Sequence, residues 1–84
     1  MTLDTFIQSP DPIIANAATL TNNAVASLKA GQITADEYSE LLANILDFTT
    51  VVGLTNDMNR QNQIANAFNQ IKNIASILTS IPGL

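Results

Sequence analysis

The chain has 84 residues, a formal net charge of −4, and neither Cys nor His. Without Cys there can be no disulfide, thiolate metal site or thiol nucleophile, and without His the commonest general base and transition-metal ligand are missing. The three basic residues are too scattered to neutralise a run of phosphates, which argues against nucleic acid and against an anionic membrane surface as partners. They are Lys29, Arg60 and Lys72.

Uncharged polar residues dominate the polar part of the composition. Charged residues make up 12% of the chain, about half of the roughly 25% usual in soluble domains. The difference is filled by Asn, Gln, Thr and Ser, while the apolar content is ordinary. A chain of this size builds only a small core, so contacts with partners often add to its stability.

The N-terminal segment MTLDTFIQSPDP has neither the basic start nor the long apolar run of a signal peptide. No stretch approaches the roughly 18 consecutive apolar residues of a membrane-spanning helix. We therefore expect a protein that is made inside the cell and is soluble or held within a particle. Residues 1–11 are predicted to form an extended arm, and residues 12–84 a single helical domain.

The first predicted helix covers residues 12–30. Asp11 is a good N-cap, and Pro12 suits the first helical position because its missing N–H would have no helical partner there. Lys29 places a cation in the last turn, where it complements the helix dipole. Gly31 can adopt the left-handed conformation that ends many helices.

The second predicted helix begins after Thr34. Thr34 and Glu37 have the spacing of a capping box, in which each side chain accepts a hydrogen bond from the other residue's backbone. An apolar stripe then follows with alternating spacings of three and four, as in a heptad repeat; its members are Tyr38, Leu41, Ile45, Phe48 and Val52. The β-branched run at 49–52 and Gly53 predict a break or kink. One long kinked helix that continues through Gly53 is the main alternative.

Residues 26–46, ASLKAGQITADEYSELLANIL, resemble the short helical module called SHOCT. The resemblance rests on a helix that ends in Leu-x-x-Gly, then Ile-Thr, then an acidic pair and an aromatic residue, and then paired leucines. The matching residues are Leu28, Gly31, Ile33, Thr34, Glu37, Tyr38, Leu41 and Leu42. The family usually has Lys before its final leucines, where this chain has Glu40 and Asn44. The resemblance implies a helical hairpin and a role in oligomerisation or protein interaction, without catalysis.

The third predicted helix covers about residues 56–79, with Thr55 as N-cap, and ends before Pro82 and Gly83. Its apolar residues again follow spacings of three and four. This apolar seam consists of Ile64, Ala67, Ile71, Ile74, Leu78 and Ile81. Because this helix is longer than the second one, we expect its C-terminal part, from Ile71 to Ile81, to pack against another chain.

A row of Asn residues lies opposite the apolar seam, also at helical spacing: Asn59, Asn62, Asn66, Asn69 and Asn73. Asn is a mediocre helix former, because its side chain competes for backbone hydrogen bonds. Amides both donate and accept hydrogen bonds, and they are desolvated at lower cost than charges. The row therefore suits a protein contact surface, with Asn66, Asn69 and Asn73 as the predicted interface members. A plain neutral surface is the alternative interpretation.

No catalytic, cofactor or metal site is predicted. Glu37 and Glu40 lie three residues apart, but capping explains Glu37, and Glu40 is expected to face solvent. The segment DFTTVVGLTND lacks the regular oxygen spacing of a calcium loop and the Lys of a phosphate loop. The serines have no basic partner that would activate them as nucleophiles.

The predicted fold is all-α, a small helical bundle or hairpin of two to three helices with heptad-like seams. The predicted function is that of a non-enzymatic structural or assembly protein, which oligomerises or packs on a larger protein assembly and has no small-molecule substrate. A virus or phage virion component would fit this composition. One alternative is a small acidic regulator that binds one protein. Another is a peripheral membrane helix formed by IKNIASILTSIPGL, although Lys72 is its only basic residue.

Overall fold

Four α-helices form most of the chain that the computed structural model describes, namely residues 3–47, 49, 53 and 56–79. They are α1 (Leu3–Ile7), α2 (Pro12–Lys29), α3 (Ala35–Ile45) and α4 (Met58–Thr79). These described residues contain no β-strand, so the all-α prediction is confirmed.

Helix α2 begins and ends as its sequence predicts. The Asp11 carboxylate accepts a hydrogen bond from the Ile13 backbone N–H at 3.0 Å, and Pro12 occupies the first turn. At the other end, Gly31 has a φ of +75°. The N–H of Gly31 donates to the Leu28 carbonyl at 3.1 Å, and that of Gln32 donates to the Ser27 carbonyl at 2.9 Å. These two bonds form a Schellman motif, which satisfies carbonyls that the helix end would leave without partners.

Helix α3 carries both hydrogen bonds of the predicted capping box. The Thr34 hydroxyl accepts from the Glu37 N–H at 3.1 Å, and the Glu37 carboxylate accepts from the Thr34 N–H at 3.0 Å. The helix ends at Ile45, and Leu46, Asp47 and Gly53 are not helical. The alternative of one continuous helix through Gly53 is therefore wrong. Phe48 and Val52 of the predicted stripe lie outside the described residues.

Helix α4 starts two residues later than predicted. The Asp57 carboxylate accepts hydrogen bonds from the backbone N–H groups of Asn59, at 2.9 Å, and Arg60, at 3.3 Å. These are the bonds that an N-cap side chain makes, and a carboxylate at a helix N-terminus also complements the helix dipole. The predicted cap, Thr55, and the predicted terminators, Pro82 and Gly83, lie outside the described residues.

The N-terminal arm requires a correction, because it is not extended. Leu3, Phe6 and Ile7 lie three and four residues apart, so helix α1 places them on one face. Leu3 is only 4% exposed, and Phe6 and Ile7 pack against the same buried cluster. Five residues are too few to form a stable helix alone, so this contact with the core explains why α1 forms.

Helices α2 and α4 form the centre of the fold and run in the same direction. Asp11, before α2, pairs with Arg60 in the first turn of α4. Val25, late in α2, shares a buried cluster with Ala75, late in α4. Helix α3 follows the turn at Gly31 and packs back along α2, and α1 packs against both central helices.

The core consists of two neighbouring apolar clusters. The larger one joins α1, the first half of α2 and the middle of α4: Leu3, Ile14, Ala17, Ala18, Ile64, Ala67, Phe68 and Ile71. The smaller one joins α3 to the second halves of α2 and α4: Ala24, Val25, Tyr38 and Ala75. Thr21 of α2 is fully buried, and its hydroxyl has no hydrogen-bond partner among the described residues. A buried hydroxyl without a partner lowers the stability of the folded chain.

Removing the capping hydroxyl of Thr34 should destabilise the protein by about 0.5–2 kcal/mol, the usual cost of losing such a cap. The measurement is the free energy of unfolding of Thr34→Ala in urea. Thr34→Ser keeps the hydroxyl and should remain close to the wild type. Equal losses in both variants would show that the hydrogen bond to the Glu37 N–H is not the stabilising contact.

Replacing Thr21 with Val should raise the free energy of unfolding by about 1 kcal/mol, because it removes a buried hydroxyl that has no partner and keeps the shape. Thr21→Ser is the matched control. It keeps the hydroxyl and loses a methyl group, so it should lower stability by about 0.8 kcal/mol. A loss of stability in Thr21→Val would mean that the hydroxyl is satisfied in solution.

Candidate interaction surface

The apolar seam of α4 faces the interior of its own chain. Ile64 and Ile71 are 0% exposed and Ala67 is 6% exposed. Ile74 and Leu78 are partly buried and pack against the core clusters. These residues have little surface left for a second chain, so the predicted interchain seam is corrected to an internal one. Ile81, its last member, lies outside the described residues.

The reason for this correction is the direction of α2. The second predicted helix is shorter than α4, so α4 was expected to project beyond its neighbours. The structure instead places α4 beside α2, which runs parallel to it with 18 residues against 22. At 1.5 Å per residue these helices are about 27 and about 33 Å long. Helix α2 can therefore cover the seam over most of its length.

The outer face of α4 presents the predicted Asn residues to solvent. We call this set the amide row, and all five members are exposed. The members are Asn59, Asn62, Asn66, Asn69 and Asn73. The row therefore presents amide donors and acceptors on the surface of the described chain. The predicted interface residues Asn66, Asn69 and Asn73 belong to this face, away from the buried seam.

A groove of about 440 Å³ runs beside the amide row, between α1 and the first half of α4. Its lining combines apolar groups of Phe6, Ile14 and Ala67 with four amide side chains. These amides belong to Gln8, Gln63, Asn66 and Gln70. No charged side chain is among its described lining residues, so the groove suits an uncharged group that carries both donors and acceptors, such as a peptide backbone.

Sequence reasoning missed three of these four amides. Gln63, Asn66 and Gln70 are spaced three and four residues apart, so a helical projection would have placed the two Gln residues beside Asn66. Gln8 could not be found in this way, because it reaches the groove only when the N-terminal segment folds onto the central helices.

A second groove, of about 290 Å³, lies between α3 and α4. It is lined by Tyr38, Leu42 and Leu46, with Lys72 on the α4 side. Burial raises the pKa of the Tyr38 hydroxyl, which has no hydrogen-bond partner among the described residues. This arrangement places the Lys72 cation beside apolar groups of α3 and the hydroxyls of Tyr38 and Ser39.

An ion pair joins the starts of the two central helices. The Arg60 guanidinium donates from Nε to one Asp11 carboxylate oxygen and from Nη2 to the other, both at 3.0 Å. The Asp11 side chain is 16% exposed and that of Arg60 is 36% exposed. The hydrogen bond from Arg60 is the main cause that lowers the pKa of Asp11, and the Ile13 N–H lowers it further. This bidentate pair aligns the starts of α2 and α4.

Among the described residues, no group of three or more His, Cys, Asp or Glu residues could hold a metal ion. Glu37 and Glu40 are both exposed, and Glu37 accepts the capping hydrogen bond. No helix among these residues is long and apolar enough to cross a membrane.

Comparison with known proteins gave no match to a family model, to a curated protein or to a solved structure. The resemblance of residues 26–46 to a SHOCT module therefore stays a prediction. The geometry of the described residues carries the functional argument alone.

Asp11 should titrate below the ordinary range of Asp, and Arg60→Gln should move its pKa upwards. Because the folded pKa is lowered, the stability that Asp11 contributes is present above its unfolded value of about 3.9 and is lost as pH falls through the folded pKa. NMR titration of the Asp11 carboxyl carbon measures this shift. Lys72→Gln removes a distant charge and should leave the pKa of Asp11 in place; equal shifts in both variants would contradict the pairing.

Proposed function

We propose that this chain is a non-enzymatic structural or assembly protein, which acts by oligomerising or by packing on a larger protein assembly. The observation that carries this proposal is the exposure of the whole amide row along α4. The apolar seam on the other side of α4 is buried in the chain's own core. The outer face is therefore the surface of this helix that is left to contact partners.

The chemistry of the amide row supports contact with protein. An exposed helix gains more stability from Glu and Lys than from Asn, by tenths of a kcal/mol at each position. Asn side chains can hydrogen-bond to one another or to a backbone, and they avoid the high cost of burying a charge. Contacts of this kind are individually weak, so they suit an assembly in which many copies meet, such as a virion or another repeated particle.

A small regulator that binds one protein is the second candidate. The groove between α1 and α4 favours it, because a concave surface with an apolar floor and amide rim could hold one uncharged segment of a partner. Such a regulator would stay monomeric alone and bind its target with fixed stoichiometry, whereas an assembly protein should associate with itself or with a repeated surface.

The test adds charge to the amide row and measures mass. The wild type should associate as its concentration rises, followed by light scattering and sedimentation velocity. The triple variant Asn66→Glu, Asn69→Glu, Asn73→Glu should remain monomeric at the same concentrations, because like charges brought together at an interface are strongly unfavourable.

The matched control adds the same three charges on α2, through Asn16→Glu, Asn22→Glu and Asn23→Glu at exposed positions. It should associate like the wild type. Equal dissociation of both triple variants would show that net charge alone sets the association. A wild type that is monomeric at every concentration would contradict self-assembly and favour the regulator.

A further inference from the structure

The amide row has the repeat of a coiled-coil seam, extended by Ser76. Successive spacings from Asn59 onwards are three, four, three, four and three residues, so the row divides into two heptad positions. The first set is Asn59, Asn66 and Asn73. The second set is Asn62, Asn69 and Ser76, and all six residues are exposed. A second helix can therefore lie along this face in regular register.

The row is complementary to itself when two copies lie antiparallel. In that orientation the first heptad position of one helix meets the second position of the other. Asn66 then lies opposite the second copy's Asn69, and Asn62 lies opposite the second copy's Asn73. Asn59 meets the second copy's Ser76 at each end. We call each of these facing residue pairs a layer. In every layer both side chains can donate and accept hydrogen bonds, so the two side chains can bond to each other.

The two most exposed large apolar side chains of the described chain lie at the ends of this same register. Met58 is 73% exposed and Ile77 is 65% exposed. In the antiparallel pair, Met58 of one copy and Ile77 of the other lie at the same level, one on each side of the terminal layer. They would cover the hydrogen bonds of that layer from water, which strengthens them.

The charge distribution also allows two acidic copies to meet at α4. The chain carries a net charge of −4, so two copies repel each other at long range. Between Met58 and Thr79 there is no acidic residue, and the two basic ones are Arg60 and Lys72. Arg60 is engaged by Asp11. The antiparallel register places Lys72 beside the second copy's Ala65. The pairing therefore brings no two like charges into contact.

We infer that the partner of the amide row is a second copy of this chain, bound as an antiparallel pair of α4 helices centred between Ala67 and Phe68. This inference rests on the proposed assembly function and adds its partner, orientation and register. The paired length from Met58 to Ile77 is about 29 Å. The interface is held by amide hydrogen bonds in the middle and by apolar contacts at each end.

Two single-cysteine variants, Asn62→Cys and Asn73→Cys, test the register directly, since the natural chain has no Cys. When the two are mixed and oxidised in a mild redox buffer, a disulfide should join one variant to the other. Each variant alone should stay uncrosslinked, because like positions are offset by about 16 Å along the pair. A disulfide requires Cα atoms within about 7 Å.

Isotope labelling of one variant lets mass spectrometry distinguish mixed dimers from like ones, and circular dichroism verifies that both variants fold. Asn22→Cys mixed with Asn73→Cys is the control and should give no dimer. Dimers from Asn62→Cys alone would indicate a parallel pair and overturn the inference. A wild type that associates while the mixture stays uncrosslinked would also overturn it, but would leave assembly through another surface. A wild type that is monomeric by light scattering would defeat the proposed function itself.

Discussion

The close parallel packing of α2 and α4 is the contact on which the other features of the structure depend. Small side chains of α2 allow α4 to approach, and Ala18 is completely buried at this contact. Ile64 and Ile71 of α4 are also fully buried there, and each contributes roughly 1.5–3 kcal/mol by leaving water. The ion pair between Asp11 and Arg60 holds the starts of the two helices together, so that the alanines and isoleucines meet in register.

This packing decides which surface of α4 is left for partners. Since the apolar seam is turned inwards, the helix exposes its amide row along nearly its whole length. Helix α1 lies beside the row, and the groove between α1 and α4 is lined in part by Gln8. Helix α3 packs along α2. No carboxylate lies between Met58 and Thr79, although the net charge of the chain is −4. This is why we propose that acidic copies meet at this face.

The local features of the fold were predictable from the sequence, whereas the pairing of the helices was not. Capping depends on residues three positions apart, so Thr34 with Glu37, and Asp11 with Pro12, could be identified without knowledge of the fold. Gly31 was predictable for the same reason. Helix α1 was missed because a five-residue helix is stabilised mainly by the core that it touches. The exposed position of the Asn residues was expected from their spacing, but the groove beside them needs α1 in place.

The seam of α4 shows where sequence reasoning stops. Its periodicity correctly identified an apolar face, but periodicity does not say whether that face meets another element of the same chain or another molecule. The answer depended on α2 running parallel to α4, which follows from contacts between residues about fifty positions apart. A helix with one apolar face and one amide face can pack with either face towards its own chain. Which face turns inwards is decided by the helices that pack against it.

The central claim is that α4 uses its apolar face within the chain and its amide face between chains. NMR spectra recorded over a dilution series test this most directly. The side-chain amide signals of Asn62, Asn66 and Asn69 should shift as the protein is diluted, while the methyl signals of Ile64 and Ile71 stay in place. Methyl signals that shift while the Asn amides remain constant would contradict the account, since they would place the seam at the interface between chains.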